Sequence, residues 1–265
     1  MLVFFVIDNK RMDKTYYIRG IIMKNTFLIL FLISLFHWTY AQTQSIFDDI
    51  EVSMGGKNTW NNTDYLYYSA SGNSSLATVS QKRSFLINKS NGDARFKAIN
   101  DKNQEVVILF NYLTPKVKKI FIEQVEKDPS DSDMKELYSS VQKQLAKDLT
   151  LLFSPISVID HANTQQTPTP KIIDGKKLSM LSVSNMYYPS HQESISGTVG
   201  VDPKGKIHII ELQNGAKFWV DKYIDTGGGL VLPTQFESED KVSHSCVFST
   251  VASFTDIEKE KFEKL

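Results

Sequence analysis

The sequence predicts an α+β domain in which one strongly curved antiparallel sheet packs helices against its concave side. Three observations predict it. From Trp60 onward, short runs alternate apolar and polar residues. Closely spaced reversal signals such as Asn91-Gly92 and Asn214-Gly215 separate the runs, and one long apolar stripe at helical spacing interrupts them. Short reversals join antiparallel neighbours, whereas parallel strands require long crossovers.

The elements follow in order. Ser45 precedes a short helix in which Ile46, Phe47, Ile50 and Met54 recur at helical spacing, and Gly55-Gly56 stops it. The glycines allow a turn where a side chain would clash. Strands are predicted at Tyr65 to Tyr68, Ser84 to Asn88, Arg95 to Ile99 and Val106 to Tyr112. A second helix follows Pro129, with Asp133 and Glu136 as a capping pair and Met134, Leu137, Tyr138, Val141, Leu145 and Leu149 as its packing stripe. Residues 161–170 read as a surface loop, and Asp174-Gly175 as a tight turn. Further strands are predicted at Leu178 to Val183, Ser194 to Val201, Ile207 to Leu212, Ala216 to Tyr223, Gly229 to Glu237 and Val242 to Val251, before a short helix opening at Asp256. No internal repeat and no linker divides this region. One curved sheet around the helices would bury every apolar face.

Ahead of the domain, residues 23–41 (MKNTFLILFLISLFHWTYA) have the three regions of a secretory signal: Lys24, an apolar run from Phe27, and a small-residue cleavage site at Ala41. Residues 1–22 read as an upstream extension from an early start codon, and residues 42–265 as a single mature domain in the periplasm or secreted. The apolar run is shorter than the roughly 20 residues a spanning helix needs. Removing residues 1–41 takes five basic and two acidic side chains from the 30 of each, leaving a net charge of about −3. That balance, without basic clusters, argues against nucleic acid as a partner.

The chemistry-bearing residues form no site in sequence. Cys246 is the one cysteine, so no intramolecular disulfide forms. There is no Gly-x-Ser-x-Gly elbow, and the mature histidines 161, 191, 208 and 244 are too dispersed for a metal motif. His244 and Cys246 fall on one side of an extended segment, and strict alternation puts Ile207, Ile209 and Glu211 opposite His208 and Ile210. Glu193, Glu211, Asp221 and Asp225 could share a lumen only if the fold turns them inward. No catalytic residue, metal or cofactor is expected. The Asn-x-Ser/Thr matches at Asn61, Asn73 and Asn88 read as surface strands and turns. The aromatic residues are the better lead: Trp60, Tyr65, Tyr67, Phe96, Phe110, Phe218, Trp219 and Tyr223 are the ligand-binding candidates, able to line a concave pocket against an apolar molecule.

Several short segments carry a family resemblance: Met54-Gly55-Gly56 with Trp60 and Tyr65-Leu66, Asn111-Tyr112, Asp148-Leu149 to Phe153-Ser154-Pro155, Gly229 to Thr234, and Phe254-Thr255-Asp256-Ile257 through Phe262. With the order of elements, they make the chain resemble the lipoprotein-carrier (LolA-like) superfamily, and more narrowly the exported proteins of that kind in Bacteroidetes. The resemblance implies an incomplete antiparallel barrel whose concave face accepts acyl chains, a lipid or a lipoprotein, with peripheral association with the envelope. The motifs include no lipoprotein-releasing contact, and the known carriers are shorter. Three readings stand: a periplasmic hydrophobic-ligand or lipoprotein-binding module, a non-catalytic structural or interaction domain of the envelope, and a hydrolase whose site is not visible in sequence.

Overall fold

The computed structural model describes residues 46–76, 78–162, 167–186, 195–240 and 244–265. The predicted signal and upstream extension lie outside them. Thr43–Leu265 forms one compact unit. Thirteen strands make one sheet: β1 (Tyr65–Gly72), β2 (Val79–Asn88), β3 (Asp93–Asn100), β4 (Glu105–Asn111), β5 (Lys116–Ile122), β6 (Val125–Lys127), β7 (Thr169–Ile173), β8 (Lys176–Val183), β9 (Gly197–Val201), β10 (Ile207–Leu212), β11 (Lys217–Asp225), β12 (Val231–Ser238) and β13 (Cys246–Phe254). Their spatial order is β6-β5-β4-β3-β2-β1-β13-β12-β11-β10-β9-β8-β7, and the sheet does not close. Its pairs are antiparallel, as the reversal signals predict.

Among the described residues four helices accompany it: α1 (residues 46–53), α2 (Lys57–Asn61), α3 (Ser132–Leu152) and α4 (Ser154–His161). Their contacts require the sheet to curl. Thirteen strands laid flat at ~4.8 Å would be ~60 Å wide, yet α3 reaches strands from both halves. Its Tyr138 meets Phe110 of β4 edge-on at 5.7 Å, its Asp148 pairs with Arg83 of β2, and it also packs on β12. Helix α4 lies against β8. One contiguous core therefore joins Phe85, Phe96 and Phe110 from one half of the sheet to Val199, Ile210, Phe218 and Phe236 from the other, with Leu145, Leu149 and Phe153 between them. The curved α+β architecture with helices on the inner side agrees with the fold class read from the sequence.

The sheet edges are blunted. β6 is three residues long, and β7 carries Pro170, which has no N–H for a further strand. Helix α1 seals one end of the interior through backbone proximity. Gly55 has φ +95°, and a Cβ there would stand 1.9 Å from the Gly229 carbonyl oxygen. Beside it the Val231 N–H donates to the Met54 carbonyl at 3.0 Å, and Ser53 Oγ donates to the Gly205 carbonyl at 2.9 Å.

Several local expectations are corrected. Residues Thr169 and Pro170, read as loop, begin β7. β5 and β6 escaped the alternation test because the Lys-Val-Lys-Lys run masks a half-exposed strand. Helix α3 starts at Ser132 with Asp131 as N-cap, so Asp133 lies in its first turn and makes no capping pair with Glu136. Phe153 alone separates it from α4, whose Pro155 sits in the first turn, where a missing N–H costs nothing. Gly229 belongs to the turn before β12. The final helix is one 3-10 turn, Lys259–Phe262.

Candidate functional site

Strand alternation divides the sheet into an inner and an outer face. Leu66 and Tyr68 of β1, Phe85 and Ile87 of β2, Phe96 of β3 and Phe110 of β4 point inward and are buried. Tyr68 and Phe85 ring centroids are 5.3 Å apart, and Phe85 and Phe96 are 5.1 Å apart. The inner face is thus an aromatic and aliphatic concavity, covered by α3 and α4.

The eight candidate aromatics divide between the faces. Phe96, Phe110 and Phe218 belong to the interior cluster, as does Trp60, which meets Phe153 edge-on at 4.9 Å and lies under the Lys89 ammonium at 4.0 Å. Tyr223 packs against that cluster, and its hydroxyl bridges the N–H and carbonyl of Ile207, both at 2.9 Å. Tyr65, Tyr67 and Trp219 lie outside it. Tyr65 stacks on Phe262 at 6.0 Å, Tyr67 hydrogen-bonds Ser69 at 2.9 Å, and the Lys217 ammonium sits 5.3 Å from the Trp219 ring. The structure brings five of the candidates to one interior and leaves three on other surfaces.

A polar network that sequence reasoning missed crosses the interior. Arg83 of β2 and Asp148 of α3 have fully buried side chains. Arg83 Nε donates to Asp148 Oδ2 at 2.7 Å, and Nη2 donates to Oδ1. Nη1 donates to the carbonyls of Gly72 and Gln81 at 2.9 and 3.0 Å. Gln144 Nε2 donates to Asp148 Oδ1 at 2.9 Å, and the Tyr68 hydroxyl donates to Oδ2 at 3.3 Å. Gln144 Oε1 in turn accepts from the Ser75 N–H at 2.8 Å.

The electrostatics follow from burial and pairing. Burial opposes the charge on Arg83, but the hydrogen bonds and charge of Asp148 outweigh it and hold the guanidinium above its ordinary pKa. Burial lifts the Asp148 carboxyl, with Arg83, Gln144 and Tyr68 pulling it back. Burial first, and Asp148 second, push the Tyr68 phenol well up and keep it a neutral donor. Burial likewise raises Cys246, whose Sγ lies 3.8 Å from Arg83 Nη2, so the thiol stays protonated.

Two interior hydroxyls lack this kind of partnership. Among the described residues, Tyr138 Oη and Ser154 Oγ are buried without a hydrogen-bond partner. Burial pushes the Tyr138 phenol up to about 12. Each such group forfeits about 1–3 kcal/mol until a partner reaches it. Both lie on the helices that cover the concavity, and Tyr138 does so beside Phe110.

The residues weighed for catalysis have separate surroundings. His244 is exposed and precedes β13, while Cys246 is buried in the Arg83 network, so the expected shared face is absent. A β-bulge between Ile207 and Ile209 breaks the alternation, placing Ile207 and Ile210 together in the interior. It leaves His208 half-buried, with Nε2 3.0 Å from Asp202 Oδ2 and Nδ1 3.4 Å from Lys176 Nζ. Glu211 pairs with Lys217, Asp225 accepts from the Gly227 N–H, and Asp221 is exposed. His191 and Glu193 lie outside the described residues. No group of three or more His, Cys, Asp or Glu among the described residues could hold a metal. Asn88 is buried, and its side-chain oxygen accepts from Ser90 and Asn91 to shape the turn after β2.

The segments that carry the family resemblance meet in space. Gly55 abuts Gly229, Trp60 meets Phe153, and Tyr65 stacks on Phe262. No protein-family model and no curated protein matches the chain. Among solved structures, the chain is similar to one assigned as an outer membrane lipoprotein-sorting protein domain from Vibrio parahaemolyticus. Identity is 8%, with 78% of this chain and 93% of that chain covered, at a TM-score of 0.30. It is also similar to MucB in complex with MucA(peri), at 12% identity and a TM-score of 0.21, covering 77% of this chain and 58% of that one.

Proposed function

We propose that the protein is an exported envelope module that binds a hydrophobic ligand, an acyl chain or the lipid part of a lipoprotein, on the concave face of its sheet. The observation that carries this reading is the pair of unpartnered hydroxyls, Tyr138 and Ser154, on the helices covering a concavity that is apolar and aromatic apart from the self-paired Arg83–Asp148 network. An acyl ester offers matching chemistry, with hydrocarbon for Phe96, Phe110 and Phe218 and a carbonyl oxygen for the Tyr138 hydroxyl beside Phe110. Entry requires the Tyr138 half of α3 to lift from β4, because Phe96 and Phe110 are fully buried there, while the Arg83–Asp148 pair keeps the other half of the helix on β2. The sheet has two free edges and does not close, so its halves can spread to admit a chain. The signal-like segment at residues 23–41 supports a place outside the cytoplasm.

The same complete burial supports a second reading, in which the interior is filled permanently by the protein's own side chains and the module acts only in structure or protein contact. Native mass spectrometry of gently purified protein separates the two. Retention of an acyl-sized mass, lost on denaturation, supports ligand carriage. A clean protein mass in repeated preparations, together with no uptake of added diacylglycerol, supports the filled interior.

A further inference from the structure

The hairpin of β7 and β8 overhangs the sheet at its tip. β8 pairs with β9 only from Ser179, which lies opposite Val201, the last residue of β9. Residues 173–177, around the Asp174-Gly175 turn, therefore extend past β9 and pair only within the hairpin. Little apolar contact holds them: Ile172, Lys176 and Lys177 are exposed, and Leu178 is the first buried side chain of β8. Lys176 reaches back from this tip to His208, the extra residue at the bulge of β10, with Nζ 3.4 Å from Nδ1. Among the described residues this is the one side-chain hydrogen bond that joins the tip to another part of the fold.

The partners of His208 fix where its proton sits. Asp202 Oδ1 accepts the N–H groups of Lys204 and Lys206 at 2.8 and 2.9 Å, and Oδ2 lies 3.0 Å from His208 Nε2. A carboxylate only accepts and an ammonium only donates, so Nε2 carries the hydrogen and Nδ1 offers its lone pair to Lys176. The 202–206 turn is itself held in place, since the Asp49 carbonyl of α1 abuts Gly205 and Ser53 Oγ donates to the Gly205 carbonyl. On β11, Asp221 and Lys222 are exposed, and the Tyr223 hydroxyl is taken up by Ile207. Lys206 lies over the Tyr223 ring at 5.3 Å, and Lys204 is exposed. None of these groups hydrogen-bonds or ion-pairs with the His208 ring among the described residues.

An imidazole takes up a proton in the mildly acidic range. At His208 that proton can go only to Nδ1, which then becomes a second donor facing the Lys176 ammonium. The two like charges repel, while the bond to Asp202 becomes charge-assisted. We infer that His208 is a pH-operated latch for the edge hairpin: neutral, it holds Lys176 and the tip beside β10; protonated, it keeps Asp202 and releases Lys176. The released tip carries Ile172, already 75% exposed, at the free edge of the sheet. The latch is separate from the concave interior and does not depend on the ligand reading given for it.

Amide hydrogen exchange by NMR on labelled protein as isolated from its host tests this, with rates expressed as protection factors so that the intrinsic pH dependence is removed. Protection at residues 173–177 is expected to fall about threefold or more between pH ~7.5 and ~5.5, with Gln235 and Phe236 of the central strands unchanged. In Lys176→Met the tip should be as weakly protected at the higher pH as the parent is at the lower, and in His208→Gln the pH dependence should vanish. The amide spectra of both variants check that the fold is retained. Imidazole nitrogen shifts should show the Nε2–H tautomer at pH ~7.5. Equal protection of the parent tip at both pH values, the same fall in Lys176→Met, or the Nδ1–H tautomer would each overturn the latch.

Discussion

Asp148 on α3 and Arg83 on β2, 65 residues apart in sequence, meet in a two-pronged ion pair with no solvent exposure on either side chain. The pair fixes the long helix to the inner face of the sheet at one register. Its remaining hydrogen-bond capacity is taken up by Gln144, Tyr68 and two backbone carbonyls. A buried pair so fully satisfied holds geometry more than it adds net stability, since desolvation offsets much of its attraction.

Removing one partner should therefore cost far more than removing both. Asp148→Asn and Arg83→Leu are each expected to lower the unfolding free energy by about 3–5 kcal/mol. The double variant Arg83→Met/Asp148→Leu should recover most of that loss. Urea denaturation of the four proteins measures it, and single variants within about 1 kcal/mol of the parent would contradict a buried, coupled pair.

The sequence contained a signal for this pair that charge alone concealed. Arg83 is in phase with Phe85 and Ile87 on a strand, and Gln144 and Asp148 fall within the apolar stripe of Val141, Leu145 and Leu149. A charged residue in register with an inward face points to a buried partner, but periodicity cannot say which partner, because that depends on how α3 crosses the sheet. The strands bounded by Asn-Gly and Asp-Gly turns were legible for a local reason, since backbone geometry and residue type coincide there. The lysine-rich β5 was not, because its pairing comes from β4. Seven of the eight aromatic candidates were legible as strand residues, whereas Trp60, read as the start of the alternating region, lies in α2. Their division between the faces depended on the register from Tyr65 to Tyr68 and on the bulges that interrupt β10 and β11.

Gly55 gives a second prediction. Alanine there combines a strained positive φ with a Cβ 1.9 Å from a backbone oxygen, and should destabilise by at least about 2 kcal/mol. Gly215 also has a positive φ but open space around its Cβ position, so Gly215→Ala should cost only about 1 kcal/mol. Equal thermal shifts for the two would contradict the close approach of Gly55 to Gly229.

Cys246 should be silent toward thiol reagents. Burial raises its pKa and shields its sulfur, and only a thiolate reacts efficiently. Labelling at pH 8 should be slow in the folded protein and rapid in denaturant. Prompt labelling of folded protein would place the thiol in solvent.

Asp202 sets an acid limb. Burial raises its carboxyl, but the backbone N–H groups of Lys206 and Lys204 and the ring of His208 outweigh burial and hold it below the ordinary value of 3.8. The folded state thus binds that proton less readily than the unfolded chain. Its stabilisation is complete above the unfolded value and fades as pH falls through the lower folded value. Asp202→Asn should flatten stability against pH below about 4. An unchanged acid limb would assign the dependence to other carboxylates.

Tyr138→Phe removes an unpartnered hydroxyl, so the apo protein should keep or slightly gain stability while losing acyl ligand affinity several-fold. Thermal unfolding and ligand uptake, measured on the same samples, separate the two effects. A marked loss of stability would mean that the hydroxyl has a structural partner.

The proposed ligand binding on the concave face is tested most directly by photolabelling with a diazirine-bearing diacylglycerol, followed by peptide mass spectrometry. The account predicts adducts on the inward residues of β1 to β4 and on α3, around Phe96, Phe110 and Tyr138. Adducts confined to the outer face, or protein recovered without adduct under conditions that label a known lipid binder, would contradict it.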